Sequence, residues 1–233
     1  MDNSATEPAV PAVLAVCGLD FEGAIAAGPG VVTVRGPGPA RVEAGLEALL
    51  SRAPSSWAGI ISFGCVGALD PGLAAGTCVV ATGVLTRDEV MPADAAWVRA
   101  LLSHLPGAWP GKLAGIDVPL VSGADKIAMW RDCGACAVDM ESHAAALVAR
   151  RHGLPFAACR VVLDPAWRNL PPCALAGVRE DGSAALWPLL RVLGRAPGEL
   201  APLSALALDA WRARRALRQV RARLGPRLAA PGP

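Results

Sequence analysis

Residues 137–164, AVDMESHAAALVARRHGLPFAACRVVLD, carry a helical pattern followed by a strand-like one, with an acid at an end of each. Met140, Ala144, Leu147, Val148 and Arg151 recur at helical spacing, and Gly153 can take the left-handed conformation that closes a helix. Residues 156–163 then read as a continuous buried strand that ends in Asp164. Pro165 biases Asp164 toward an extended backbone and stops the strand, which leaves this carboxylate at the rim of a sheet. Glu141 stands at the helix start. Ligands of α/β sheets bind beyond the carboxyl ends of the strands, so Glu141 and Asp164 are both candidates to face a small molecule. By residue type alone, Glu141 also fits a first-turn acid favoured by the helix dipole, and Asp164 a turn aspartate.

Working outward, apolar β-like runs occur at residues 12–17, 31–34, 59–63, 78–81 and 118–121, with helical patterns at 39–52 and 94–105. Strands alternating with helices indicate a three-layer α/β fold, a mostly parallel mixed sheet flanked by helices. Gly64 and Gly67 fall where the strand begun at 59 is expected to become a loop, letting backbone N–H groups approach a ligand. Ser122 precedes Asp125-Lys126 as the cap of a further helix, with those two charges expected in solvent. Pro165, Pro171 and Pro172 open an irregular stretch, and a turn at residues 180–182 leads to a helical run around 184–193. This segment is expected to form a loop able to cover the site.

With 233 residues, 53% of them hydrophobic, the chain is long enough for one α/β domain with a large core, assigned here to residues 1–200. Residues 201–233 differ: seven arginines against the single acid Asp209 leave them at +6, so the preceding 200 residues carry −4 within a net charge of +2. Leu203, Leu206, Ala210, Leu217, Val220 and Leu224 share one side of this basic amphipathic helix. Two readings of it stay open, a helix docked on the domain and a peripheral contact with an anionic membrane. Nucleic acid is not expected, because no aromatic pattern or motif accompanies the arginines. Seven cysteines, an odd number lying partly in apolar runs, point to a reducing, cytoplasmic compartment. Cys133 and Cys136 lack a second ligand pair, so no metal is expected. The N-terminus shows no signal-peptide pattern, and no apolar run is long enough to span a bilayer.

Val138-Asp139-Met140-Glu141-Ser142 followed by Arg160-Val161-Val162-Leu163-Asp164 resembles the ribose-and-base signature of the purine nucleoside phosphorylase and methylthioadenosine/S-adenosylhomocysteine nucleosidase superfamily. Residues 62–69, SFGCVGAL, are similar to that family's glycine-rich segment, and Glu22 falls where the nucleosidases carry an acid after the first strand. The wording of residues 139–156 and the Asp164-Pro165 pair resemble the branch associated with hopanoid biosynthesis, which acts on adenosylhopane.

The resemblance implies cleavage of the N-glycosidic bond of an adenine nucleoside. That reaction needs an acid at the departing purine and acceptors along a ribose that gains positive charge. Asp164 would protonate N7, Glu22 would activate the attacking water, Glu141 would accept from the ribose hydroxyls, and Met140 would pack on the sugar. Cys65, Val66 and Gly67 would line base and ribose. No cofactor is implied; a homodimer or larger homo-oligomer is. Phosphorylases of the superfamily carry an arginine where Ser62 stands, which favours hydrolysis, although Arg35 or Arg41 could supply a cation for phosphorolysis. Asp139 stands in place of the nucleosidases' glutamate, Lys126 in place of an aromatic that stacks on the base, and Leu163 in place of a serine. These departures imply a substrate with a bulky lipid at the 5′ position, such as a hopanoid. A non-catalytic nucleoside- or lipid-binding protein is the remaining alternative.

Overall fold

The computed structural model describes residues 11–52, 57–87, 89–170 and 200–232. Along them run β1 (Ala12–Cys17), α1 (Asp20–Ala26), β2 (Val31–Arg35), α2 (Pro39–Arg52), β3 (Trp57–Ala68), β4 (Cys78–Leu85), β5 (Val90–Pro92), α3 (Ala95–His104), β6 (Trp109–Gly115), α4 (Gly123–Cys133), β7 (Ala137–Asp139), α5 (Ser142–Arg151), β8 (Phe156–Asp164) and α6 (Leu200–Leu224). The expected loop and helical run over residues 171–199 lie outside the described residues, as do the side chains of residues 200–203.

All eight strands join one mixed sheet in which parallel pairs outnumber antiparallel ones. β2, β1, β3 and β8 pair in parallel in that order. β8 then meets β4 antiparallel, β4 meets β6 and β6 meets β7 in parallel, and β7 returns antiparallel to β3. The sheet therefore curls into a closed ring, bent where the register shifts between Val66 and Gly67 and between Ala81 and Gly83. β3 and β8 share the centre of the sheet, and both are buried almost throughout, which is why they read as unbroken apolar runs rather than alternating ones.

α2 and α3 each bury one stripe, whereas α5 is buried along most of its length. Val42, Leu46 and Leu50 of α2 pack into the core beside α5, while Trp97 and Leu101 of α3 face the opposite layer. Asp94 caps α3 by accepting from Trp97 N, Ser122 caps α4 by accepting from Asp125 N, and Gly134, at φ 65°, closes α4 in the left-handed conformation.

Two expectations are corrected. Residues 118–121 form no strand: Val118 is exposed, and Pro119 and Leu120 belong to the loop before α4. The strand is β6, which ends at Gly115 before the expected run, and Pro110, Gly111 and Lys112 interrupt its apolar pattern and hide it. Residues 64–67 do not leave the sheet either, since β3 continues through both glycines to Ala68.

The terminal helix docks on the domain. Ala213, Leu217, Val220 and Leu224, with Leu228 beyond the helix, are buried in the same cluster as Phe63, Trp97 and Val161. Trp97 Nε1 donates to Leu228 O at 3.0 Å, and Arg221 Nε donates to Ala26 O at 2.9 Å. Burying each leucine or valine contributes about 1.5–3 kcal/mol, so this stripe is committed to the core and is not free to enter lipid. Arg212, Arg214, Arg215 and Arg218 remain exposed on the other side. Among the described residues no helix is long and apolar enough to cross a membrane.

Candidate active site

Beyond the carboxyl ends of β1, β7 and β8 lies a cavity of about 480 Å³. Its wall includes Glu22, Cys65, Val66, Gly67, Met140, Glu141 and Asp164, so every site residue expected from the sequence meets in one place. Much of the remaining wall is apolar: Leu19, Ile116, Leu120, Leu163 and Leu170.

Glu22 is the third residue of α1 and is only 2% exposed. Its Oε2 accepts from Gly18 N at 2.9 Å and Leu19 N at 3.0 Å, and its Oε1 accepts from Cys65 N at 2.7 Å. These bonds tie α1 to β3 and fix the carboxylate in one orientation. Gly64 is required beside it, because an added Cβ would lie 2.5 Å from Glu22 Oε2 and 2.8 Å from an Arg160 guanidinium nitrogen. Burial pushes the Glu22 carboxyl above its ordinary range, while Arg160 and the N–H groups of Leu19 and Cys65 oppose that. Burial likewise pushes the Cys65 thiol well up, helped by Glu22, so the sulfur lines the pocket as an apolar group.

The corner between β7 and α5 is held by Asp139. It accepts from Ser142 N at 3.0 Å, meets the Ser142 hydroxyl, and pairs with Arg160 Nε at 2.9 Å. This fixes Met140 and Glu141 at the pocket wall. Glu141 accepts from Gly38 N at 3.0 Å and has an Arg160 nitrogen 3.5 Å from its second oxygen. Burial pushes its carboxyl up to about 7 against the attraction of Arg160, with Asp139 adding to the rise.

Arg160 itself, fully buried in mid-β8, is the hub that sequence reading missed. Besides Asp139 and Glu141 it donates to Ser62 Oγ at 2.5 Å and to Cys65 O at 3.3 Å. The signal was present: a lone arginine inside an apolar strand has to find buried acids. Ser62, read as the vacated place of a phosphate-binding arginine, is buried within this network and also bonds Ser142 Oγ at 2.8 Å.

Asp164 ends β8 and is 6% exposed. Lys126 is not in solvent as expected: it is 1% exposed, its ammonium lies on Asp164 Oδ2, and it donates to Arg168 O at 3.1 Å. The helix start that places Asp125 outside turns the next side chain inward. Burial pushes the Asp164 carboxyl up while Lys126 pulls it down. Arg168 in turn holds Asp209 of α6 through Nε at 3.0 Å and a second nitrogen at 2.5 Å, linking the terminal helix to the segment beside the pocket. Arg35 and Arg41 are exposed and are not part of the cavity wall, and Lys126 is the one cation in that wall among the described residues. His143 points to Asp117, 3.2 Å from its Nε2.

Chain and site together define an α/β protein with a cavity beyond its strand ends, set between buried carboxylates and an apolar wall. The family model of the phosphorylase superfamily matches residues 18–172, and the chain belongs to that superfamily. Comparison with curated proteins finds no match. Among solved structures, an S-adenosylhomocysteine nucleosidase from Streptococcus pyogenes in complex with 5-methylthiotubericidin is similar at 17% identity and a TM-score of 0.64, over 94% of this chain and 99% of that one. A 5′-methylthioadenosine/S-adenosylhomocysteine nucleosidase from Colwellia psychrerythraea in complex with adenine gives 14%, 0.63, 92% and 96%. Futalosine hydrolase of Helicobacter pylori gives 14%, 0.60, 91% and 97%. At these identities the likeness is one of fold.

Proposed function

We propose that the protein hydrolyses the N-glycosidic bond of an adenine nucleoside bearing a bulky apolar 5′ substituent, and that the substrate is adenosylhopane, giving adenine and ribosylhopane. The observation that carries this reading is the convergence of Glu22, Glu141, Met140 and Asp164 on one cavity. Asp164 serves as the acid that delivers a proton to the leaving purine, and its raised proton affinity suits that task. Glu22, held by three main-chain N–H groups, serves as the base that takes a proton from water. Glu141 accepts from the ribose hydroxyls and Met140 covers the sugar.

Hydrolysis is favoured over phosphorolysis because the one cation in the described wall, Lys126, is already engaged by Asp164, and Glu22 repels an anion. The apolar wall formed by Ile116, Leu120, Leu163 and Leu170 supports a hydrophobic 5′ group. A homo-oligomer belongs to this reading and rests on the resemblance, and a cytoplasmic location rests on the cysteine usage. Any contact with an anionic membrane falls to the exposed arginines of α6, since the apolar stripe is inside.

The test is product analysis by mass spectrometry with adenosylhopane and methylthioadenosine side by side, with and without phosphate. Adenine release in phosphate-free buffer, faster from adenosylhopane, is expected. A phosphate-dependent sugar phosphate product would establish the phosphorylase instead. Affinity without turnover would leave a binding protein.

A further inference from the structure

Lys126 is a charged group of the pocket wall to which the chemistry above gives no role. A lysine 1% exposed is costly to bury unless its charge is paired, and this one faces Asp164 inside a mostly apolar wall. Two of its three N–H groups are engaged, one by Asp164 Oδ2 and one by Arg168 O. Among the described residues the third has no acceptor. A carboxylate already holding an ammonium is a poor proton donor, so Asp164 cannot be treated as an isolated acid.

We infer that Lys126 and Asp164 work as one acid, with Lys126 supplying the proton that Asp164 passes to the leaving base. The inference rests on the nucleosidase reading. As the bond from the anomeric carbon to the base breaks, its electron pair leaves with the purine. A proton moves from Lys126 Nζ to Asp164 Oδ2, and the carboxylic acid so formed gives it to N7. Lys126 is left as a neutral amine and Asp164 as a carboxylate. The oxygen of water bonds to the anomeric carbon, and its proton goes to Glu22. Solvent then carries a proton from Glu22 back to Lys126, which closes the cycle with charge conserved.

The surroundings suit this exchange. Burial raises the proton affinity of the Asp164 carboxyl, and the direct contact between its Oδ2 and the Lys126 ammonium gives a proton a path from one to the other. The other charged group facing the pair is Asp209 of α6, which is held by Arg168, while the neighbouring Asp125 of α4 is exposed; the Cys65 thiol also feels Asp164. Glu22, Asp139 and Glu141 share the cavity, but they are engaged by Arg160 or main-chain N–H groups.

Two substitutions separate a proton supplier from a structural ion pair. Lys126→Met leaves Asp164 alone in an apolar site, where it keeps its own proton near neutral pH but has no ammonium to restore that proton as the pH rises further. Activity should survive under acidic conditions, and the alkaline limb of kcat should move down by about one pH unit or more. Lys126→Arg keeps the charge but cannot release a proton, so kcat should fall roughly a hundredfold or more at every pH with KM little changed. Thermal melts identify a variant that fails to fold, and the Met profile then decides alone. Near-wild-type turnover in the Arg variant, or an alkaline limb unmoved in the Met variant, overturns the inference. Carbon NMR of aspartate-labelled protein, assigned with Asp164→Asn, reads the same pair without turnover: Asp164 should be ionised near neutral pH in the wild type and protonated in Lys126→Met. Identical titrations refute the coupling, whereas wild-type protein that releases no base refutes only the nucleosidase reading.

Discussion

Replacing Arg160 with methionine should expose how the site is held together. The guanidinium is fully buried and balances Asp139 at 2.9 Å and Glu141 at 3.5 Å, so its removal strands acids that are themselves 7% exposed. Breaking a buried pair from one side costs about 3–5 kcal/mol. The bonds to Ser62 Oγ and Cys65 O add about 1 kcal/mol each. The first part depends on pH. Glu141 already has its carboxyl pushed up from 4.5 to about 7 with Arg160 holding it down, and without Arg160 it rises further. An acid whose folded pKa exceeds its unfolded one contributes stability that is complete below the unfolded value and is lost as pH rises through the folded value. The deficit of Arg160→Met should therefore be about 2 kcal/mol near pH 5 and reach about 5–7 kcal/mol near pH 8. Urea unfolding of both proteins at each pH measures it. A deficit under about 1 kcal/mol, or one equal at both values, would show that Arg160 does not balance these acids.

Asp164→Asn should preserve the fold and nucleoside affinity while lowering kcat by roughly a hundredfold or more, as read by adenine release; wild-type turnover would remove Asp164 from the mechanism. Glu22→Gln should abolish hydrolysis yet retain ribose contact through Glu141, which calorimetric binding of a non-hydrolysable nucleoside analogue would show. Leu217→Ala, at a fully buried position of α6, should cost about 2–5 kcal/mol in urea unfolding. A loss near zero would mean that the terminal helix is not part of the core.

Much of the fold is legible in the chain because its central strands are buried on both faces. β1, β3, β4 and β8 appear as apolar runs, and α2, α3 and α5 follow their periodicity and caps. β6 is not legible, since Pro110, Gly111 and Lys112 break its pattern, and neither is three-residue β7, too short for any periodicity to register. Closure of the sheet into a ring depends on bulges and on long-range pairing that no local window contains. In the site, the acids at element ends could be found because ends are where strands and helices deliver ligands. Lys126 could not be placed, because a lysine in a first helical turn is locally unremarked, and Arg160 in its apolar strand signals buried acids without saying which; the tertiary partners Asp164, Asp139 and Glu141 explain them. The stripe of α6 was legible as amphipathic, but whether domain or lipid covered it was decided by Phe63, Trp97 and Val161.

The central claim is that Glu22 directs water, not phosphate, to the anomeric carbon of an adenine nucleoside. Turnover in water enriched in heavy oxygen, with and without phosphate and followed by mass spectrometry of both products, tests it most directly. The account predicts one heavy oxygen in the sugar product, none in adenine, and a rate indifferent to phosphate. A sugar phosphate formed only when phosphate is present, or the absence of any free base, would contradict it.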